Sequence, residues 1–245
     1  MSSGPGPSRR GRRRWSGLER DLRQSGGPLI AGVDEVGRGS LAGPVVACAV
    51  IMPPDARAIA GVDDSKRLTA AQRLRLATRI RSRALALSLG AASSREVDRV
   101  NVYHATVLAM RRALRRLSLA PDHVLIDGRP IRTLGVAHLA VVGGDARCFS
   151  IACASIVAKV TRDSLMRALA SRHPHYGWDR NAGYGTPEHW RAIERAGRCA
   201  HHRSSFLGAR QLALELEAQE LADDSLPAEV ILDAIAPVAP VEGEG

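Results

Sequence analysis

Apolar positions along the chain fall into short runs whose period switches between that of a strand and that of a helix. "LIAGVD" (29–34) and "VVACAVIM" (45–52) are compact runs of strand length. "ALALSLGAA" (84–92) is a third, and "HVLIDG" (123–128) and "HLAVVGGD" (138–145) are two more. "TAAQRLRLATRIRSR" predicts a helix starting near Thr69, whose hydroxyl suits an N-cap. "SSREVDRVNVYHATVLAMRRALRRL" sets Val97, Val100, Val107, Leu108, Met110, Leu114 and Leu117 at helical intervals behind a Ser/Glu capping pair. Further helices are predicted over 149–171, 187–196 and 208–222. Strands come first and then alternate with helices. That order predicts a mixed α/β domain with an antiparallel opening and a helical C-terminal part.

The 245 residues suffice for one sizeable core. No run reaches the roughly 18 apolar residues of a membrane span. The arginine-rich N-terminus has no apolar h-region, so it does not read as a secretory signal. Cysteines 48, 148, 153 and 199 form no CxxC pair. They read as small buried thiols in a reducing compartment, and a cytoplasmic monomer is expected.

Charge divides the chain in three. Residues 1–27 carry seven Arg against Glu19 and Asp21 and are expected to be a disordered basic tail. Residues 211–245 carry nine acids and no Lys or Arg, and read as an acidic helix followed by a tail. The body, 28–210, is thus left with a charge of +14, which suits a polyanionic partner such as nucleic acid. A basic body that merely binds nucleic acid through its charge is a competing reading; it needs no carboxylates. Lys66 and Lys159 are the only lysines beside 33 arginines, and each is a candidate phosphate contact.

Asp34, Asp127 and Asp145 each end an apolar run and are flanked by glycine or a second acid. One such aspartate commonly just begins a turn. Three of them with Glu35, converging at one edge of a sheet in a basic body, would repel one another unless a cation sits among them. Hard oxygen donors select Mg²⁺ or Mn²⁺, and two such ions suit phosphoryl chemistry with water as nucleophile. Gly37, Gly39 and Ala42 match a dinucleotide-binding fingerprint, but a strand follows Pro44 where that motif must open a helix. The glycine loop is better suited to pressing its backbone against a nucleic-acid strand, with Arg38 reaching a phosphate. Histidines 173, 175, 189, 201 and 202 lack ligand spacing for a transition metal and are expected in loop or phosphate-side roles.

The motifs "GVDEVGRGSLAGPVVACAV", "DDSKRLTAAQR", "VDRVNVYHATVLAM", "VLIDG", "GGDARCFSIACASIVAKVTRD", "HYGWDRNAGYGTPEHWRAI" and "HHRSSF", in that order, resemble bacterial ribonuclease HII over roughly residues 28–210. The resemblance implies a ribonuclease H-like fold, a mixed five-stranded sheet flanked by helices. It implies an endonuclease that cuts RNA in RNA–DNA hybrids and cuts 5′ of single ribonucleotides embedded in duplex DNA, leaving 3′-hydroxyl and 5′-phosphate ends. Its cofactor would be two divalent ions, Mn²⁺ or Mg²⁺, held by Asp34, Glu35, Asp127 and Asp145. Gly37, Arg38 and Gly39 would read the 2′-hydroxyl that separates RNA from DNA. Tyr184 would pack on the following deoxy sugar, and Lys66, Lys159 and Arg203 would contact phosphates. Asp163 would be a fifth acid near the site or a residue of the helix surface. The sister type, ribonuclease HIII, differs in this loop and carries an added N-terminal domain. Ser40, where the family often has proline, and Arg147, where it often has lysine, are departures.

Overall fold

The computed structural model describes residues 15–55 and 57–207. Residues 1–14 and the predicted helix 208–222 lie outside them. Strands β1 (Ile30–Val36), β2 (Val45–Ile51), β3 (Ala86–Ala92), β4 (His123–Asp127) and β5 (Leu139–Val141) form one sheet in the order β3-β2-β1-β4-β5. β1 pairs with β2, and β2 with β3, antiparallel. β4 and β5 add on the other side of β1 in parallel, which makes the sheet mixed.

Both faces of the interior strand β2 are covered, so its sequence is apolar throughout. Val45, Ala47, Ala49 and Ile51 pack with Val97, Ala105, Ala109 and Met110 of α3 (Ser94–Arg115). Cys48 and Val50 pack with Leu76 and Ile80 of α2 (Ala70–Arg83) and with Ala152 and Ile156 of the later helix α5 (Phe149–Ala170). Alternate residues of a strand point to opposite faces, and this division follows from that alternation. Both predicted caps form: Thr69 with Gln72, and Ser93 with Glu96, are reciprocal capping boxes. The kink in α3 at Asn101, with φ at 63°, was not visible in the spacing.

Two expectations need correction. The run 138–145 gives a strand of only three residues; it then turns into the short helix α4 (Gly144–Arg147). The basic tail 1–27 was expected to be disordered, yet Leu18–Gly26 form a helix, α1. Leu18 and Leu22 pack against Ile30, Leu125 and Ile151. Glu19, 5% exposed, turns inward and accepts hydrogen bonds from the Phe149 and Ser150 amides, both at 2.9 Å. No side chain of its own caps α5, and a carboxylate at its first turn satisfies orphan donors and the helix dipole together. Polarity that reads as disorder in composition is here one buried acid and two leucines.

The C-terminal part is helical as expected. α6 (Trp178–Asn181), α7 (Pro187–Ala196) and α8 (Ser204–Leu207) follow α5, and Trp178 and Tyr176 pack with Met166 and Ala192 in a cluster of their own. No described helix is long and apolar enough to cross a membrane.

Candidate active site

The parallel register of β1 and β4 runs from Ile30 opposite His123 to Val33 opposite Ile126. Asp34 and Asp127 occupy the next position on each strand. Asp34 shares its face with Gly32, where a Cβ would run into the backbone of Ser150 in α5. That close approach brings α5 against β1 and sets Ser155 beside Asp34, where it offsets part of the rise in the carboxyl's pKa. Ser155 in turn lies 3.0 Å from the Ser65 hydroxyl, tying in the turn Ser65–Arg67 that carries Lys66.

Glu35 follows Asp34, and its amide donates to Asp34 Oδ1 at 2.8 Å. Arg38 Nη1 lies 3.6 Å from Glu35 Oε1. Asp145 does not end a strand, contrary to expectation. It stands in the first turn of α4, and the turn is anchored by the Gly144 amide donating to Asp127 Oδ1 at 2.6 Å. Lys66 Nζ lies 3.5 Å from Asp145 Oδ2.

Electrostatically the acids are in conflict. Burial, then the charges of Glu35 and Asp127, hold the Asp34 carboxyl well above the usual range. Burial raises Glu35, with Arg38 opposing and Asp127 adding to the rise. Burial raises Asp145, reinforced by Asp127 and Asp64. Partial burial pulls Lys66 down, but the charges of Asp145 and Asp64 outweigh it and its ammonium is held above the ordinary value.

A cleft of about 400 Å³ opens over these groups, lined by Asp34, Glu35, Asp127, Ser155 and the Gly37–Gly39 loop, with Lys66, Lys159 and Tyr184 at its walls. Asp145 meets it through Lys66. Lys159 Nζ is held at 2.8 Å by Asp163, one turn along α5, and lies 5.8 Å from the centre of the Tyr184 ring. Asp163 is therefore the partner of Lys159.

The donor set fits a hard divalent ion: it is all oxygen, and Asp34, Glu35 and Asp145 are raised in pKa by burial and by neighbouring acids whose charge a cation would offset. Among the described residues no three His, Cys, Asp or Glu side chains already close into a cage. Mg²⁺ is commonly held by one or two carboxylates and completed by water and substrate phosphate, so a closed cage is not required.

Two sequence expectations fail here. Arg203 was expected at a phosphate, yet it is 0% exposed and its hydrogen bonds go to the main-chain carbonyls of Gly37, Arg38 and Gly43. His189 and His202, expected in loop or phosphate-side roles, are buried together. His202 Nδ1 accepts from the Cys199 amide, which leaves its Nε2–H to donate to His189 Nε2 at 3.1 Å. Trp178 Nε1 donates to the same nitrogen, and His189 Nδ1–H donates to the Tyr184 carbonyl at 3.0 Å. These bonds assign both tautomers as neutral. Burial pushes His189 down, and burial with the neighbouring His189 pushes His202 down to about 4. The pair is a strut behind Tyr184. Ser65, Ser155 and Arg162 were missed altogether, since two serines and one more arginine carry no distinguishing spacing.

The chain matches the family model described as Ribonuclease HII over residues 31–209. It is 54% identical over 186 residues to Ribonuclease HII of Thermosynechococcus vestitus, covering 75% of this chain and 86% of that protein. It is 51% identical over 202 residues to Ribonuclease HII of Granulibacter bethesdensis, covering 80% and 92%. Among solved structures, it aligns with the ribonuclease H2 from Pyrococcus horikoshii OT3 at a TM-score of 0.62 and 23% identity, covering 79% of this chain and 99% of that one. Bst-RNase HIII in complex with Mn²⁺ aligns at 0.62 and 20% identity, covering 80% and 72%. At these identities the structures share the fold.

Proposed function

Since the chain belongs to the ribonuclease HII family, and is thereby an endoribonuclease of the ribonuclease H type, we propose that it hydrolyses the RNA strand of RNA–DNA hybrids and cuts 5′ of single ribonucleotides embedded in duplex DNA. The products are a 3′-hydroxyl and a 5′-phosphate. The observation that carries this reading is the meeting of Asp34, Glu35 and Asp127 with the Gly37–Gly39 loop and Tyr184 in one cleft.

Asp34, Glu35, Asp127 and Asp145 are the residues that would hold Mg²⁺ or Mn²⁺. Two such ions, when bound, supply an activated water and stabilise the leaving oxygen. The protein's own groups do the rest. Lys66 and Lys159 stand at the cleft wall as compact charges for the flanking phosphates. The Gly37–Gly39 backbone lies against the sugar of the ribonucleotide, where the 2′-hydroxyl is the atom that distinguishes substrate from DNA. Tyr184 offers an apolar face to the next sugar, with its ring fixed beneath by Arg162, whose guanidinium carbon is 5.5 Å from the ring centre.

The decisive assay is a DNA duplex carrying one ribonucleotide, incubated with Mg²⁺ or Mn²⁺, with the cut position mapped. A single cut on the 5′ side of the ribonucleotide is expected. Cutting elsewhere, or cutting of the all-DNA duplex, would overturn the reading.

A further inference from the structure

Arg162 and Arg203 are both 0% exposed, and each of their hydrogen bonds ends on a main-chain carbonyl. Arg203 Nη1 donates to Arg38 O at 2.6 Å, and Nη2 to Gly37 O at 2.7 Å and Gly43 O at 2.8 Å. Arg162 donates from Nε to Pro44 O at 2.9 Å, from Nη1 to Ala182 O at 2.8 Å and from Nη2 to Ala42 O at 3.1 Å. Two neighbouring buried cations satisfied by neutral acceptors are an expensive way to fill a core; apolar side chains of similar volume would cost less. Burial and the charge of Arg162 push the Arg203 guanidinium down to about 9, still cationic at neutral pH.

The acceptors explain the expense. Five of the six carbonyls belong to the segment from Gly37 to Pro44, and the sixth, Ala182, lies two residues before Tyr184. No described peptide bond is cis. In a planar trans peptide the carbonyl and the following amide point in opposite directions. With Gly37 O and Arg38 O drawn inward onto Arg203, the amide edges of those two peptides turn the other way, toward the cleft that the loop lines. The same pair joins this loop to the turn carrying Tyr184, which is also bridged to Ser40. Gly37, at φ 94°, has no side chain because a Cβ would run into the Arg162 guanidinium. A Cβ on Gly39, by contrast, would meet open space on the cleft side.

We propose that Arg162 and Arg203 are positioning residues for sugar recognition, holding the amide edges of the Gly37–Gly39 loop toward the ribose hydroxyl and fixing that loop at a set distance from Tyr184. This rests on the reading of the cleft given above. A planar fork can grip several carbonyls in fixed directions, whereas an ammonium keeps the charge without the geometry. Arginine-to-lysine is therefore the informative change.

The test compares Arg203→Lys, Arg162→Lys and the wild type on two substrates: a DNA duplex with one ribonucleotide, and a uniform RNA–DNA hybrid. kcat and KM are measured separately for each. Leu134→Ala, a core truncation on the α3 side of the sheet, controls for lost stability. The lysine variants are expected to lower the ratio of kcat/KM, single ribonucleotide over hybrid, by about tenfold to a hundredfold, because a misplacement of about 1 Å is worth that much. Leu134→Ala should leave the ratio at the wild-type value. Should Arg203→Lys fail to fold, Arg162→Lys, whose partner carbonyls span the loop and the Tyr184 turn, carries the measurement. An unchanged ratio in a folded lysine variant, or an equal fall in the control, overturns the proposal. A wild type that cuts neither substrate overturns the reading of the cleft and this inference with it, and so is told apart from the first failure.

Discussion

Asp34 and Asp127 stand side by side on two adjacent parallel strands, one position past Val33 and Ile126, the last pair that joins β1 to β4. Neither strand can withdraw its acid without breaking sheet register, so the repulsion is built into the fold. Asp34 is raised by burial and by Glu35 and Asp127. A carboxyl raised in the folded state contributes stability below its unfolded value, near 3.8, and that contribution is lost as pH rises through the higher folded value. Asp34→Asn removes the loss. In metal-free buffer its Tm is expected to exceed the wild type's by a few degrees at pH 8 and by less at pH 4, since about 1 kcal/mol moves Tm by roughly 2–4 °C at this size. Thermal melts across that range check it. An equal or lower Tm at pH 8 would contradict the built-in conflict.

The two glycines of the loop serve different ends. Gly37→Ala is expected to destabilise by about 1–3 kcal/mol or more, from a strained positive φ and the collision with Arg162. Gly39→Ala meets open space within the protein. It should melt within about 2 °C of the wild type, yet lose about tenfold or more in kcat/KM because its methyl would intrude on the proposed position of the sugar. Normal cleavage by Gly39→Ala would mean the loop does not touch substrate.

Glu19 caps a helix to which it does not belong. Glu19→Ala leaves the Phe149 and Ser150 amides without acceptors and should cost about 1–3 kcal/mol, or roughly 2–12 °C in Tm. Because Ser16 N also donates to Arg147 O at 2.9 Å, the α4 turn bearing Asp145 should loosen as well, and cleavage should fall together with stability. Differential scanning calorimetry beside a hybrid-cleavage assay reads both, and an unmoved Tm would remove Glu19 from this role.

Acid should loosen the support of Tyr184. The folded protein keeps His202 down to about 4, so on acidification the unfolded chain takes up a proton, near 6.5, that the folded chain refuses. Stability attributable to His202 is present above about 6.5 and lost as pH falls toward 4. His202→Gln is expected to flatten the fall in Tm between those values. An identical slope in the variant would show that the histidine pair does not carry it.

Much of this was legible where one local rule decided the outcome. The capping boxes at Thr69 and Ser93, the helix from Pro187 to Ala196 and the strand runs were set by spacing that tertiary contacts did not override. Asp34, Glu35 and Asp127 could be picked out because acids closing an otherwise apolar run, close to glycines, are unusual. Where long-range contacts decide, the sequence was silent. Arg203 looked like any of 33 arginines, and only the fold reveals that it faces carbonyls. Asp145 follows two glycines that end the strand early, and α1 depends on a partner 130 residues away.

In the proposed reaction the carboxylates act as one catalytic unit, and Asp34→Asn tests that most directly. Cleavage of an RNA–DNA hybrid and binding to it are measured on the same preparation with Mg²⁺ or Mn²⁺ supplied. The expected result is a fall in turnover of about a thousandfold or more, the scale on which catalytic groups act, with binding within about twofold of the wild type. Turnover retained by Asp34→Asn with either ion, in protein that binds the hybrid normally, would contradict it.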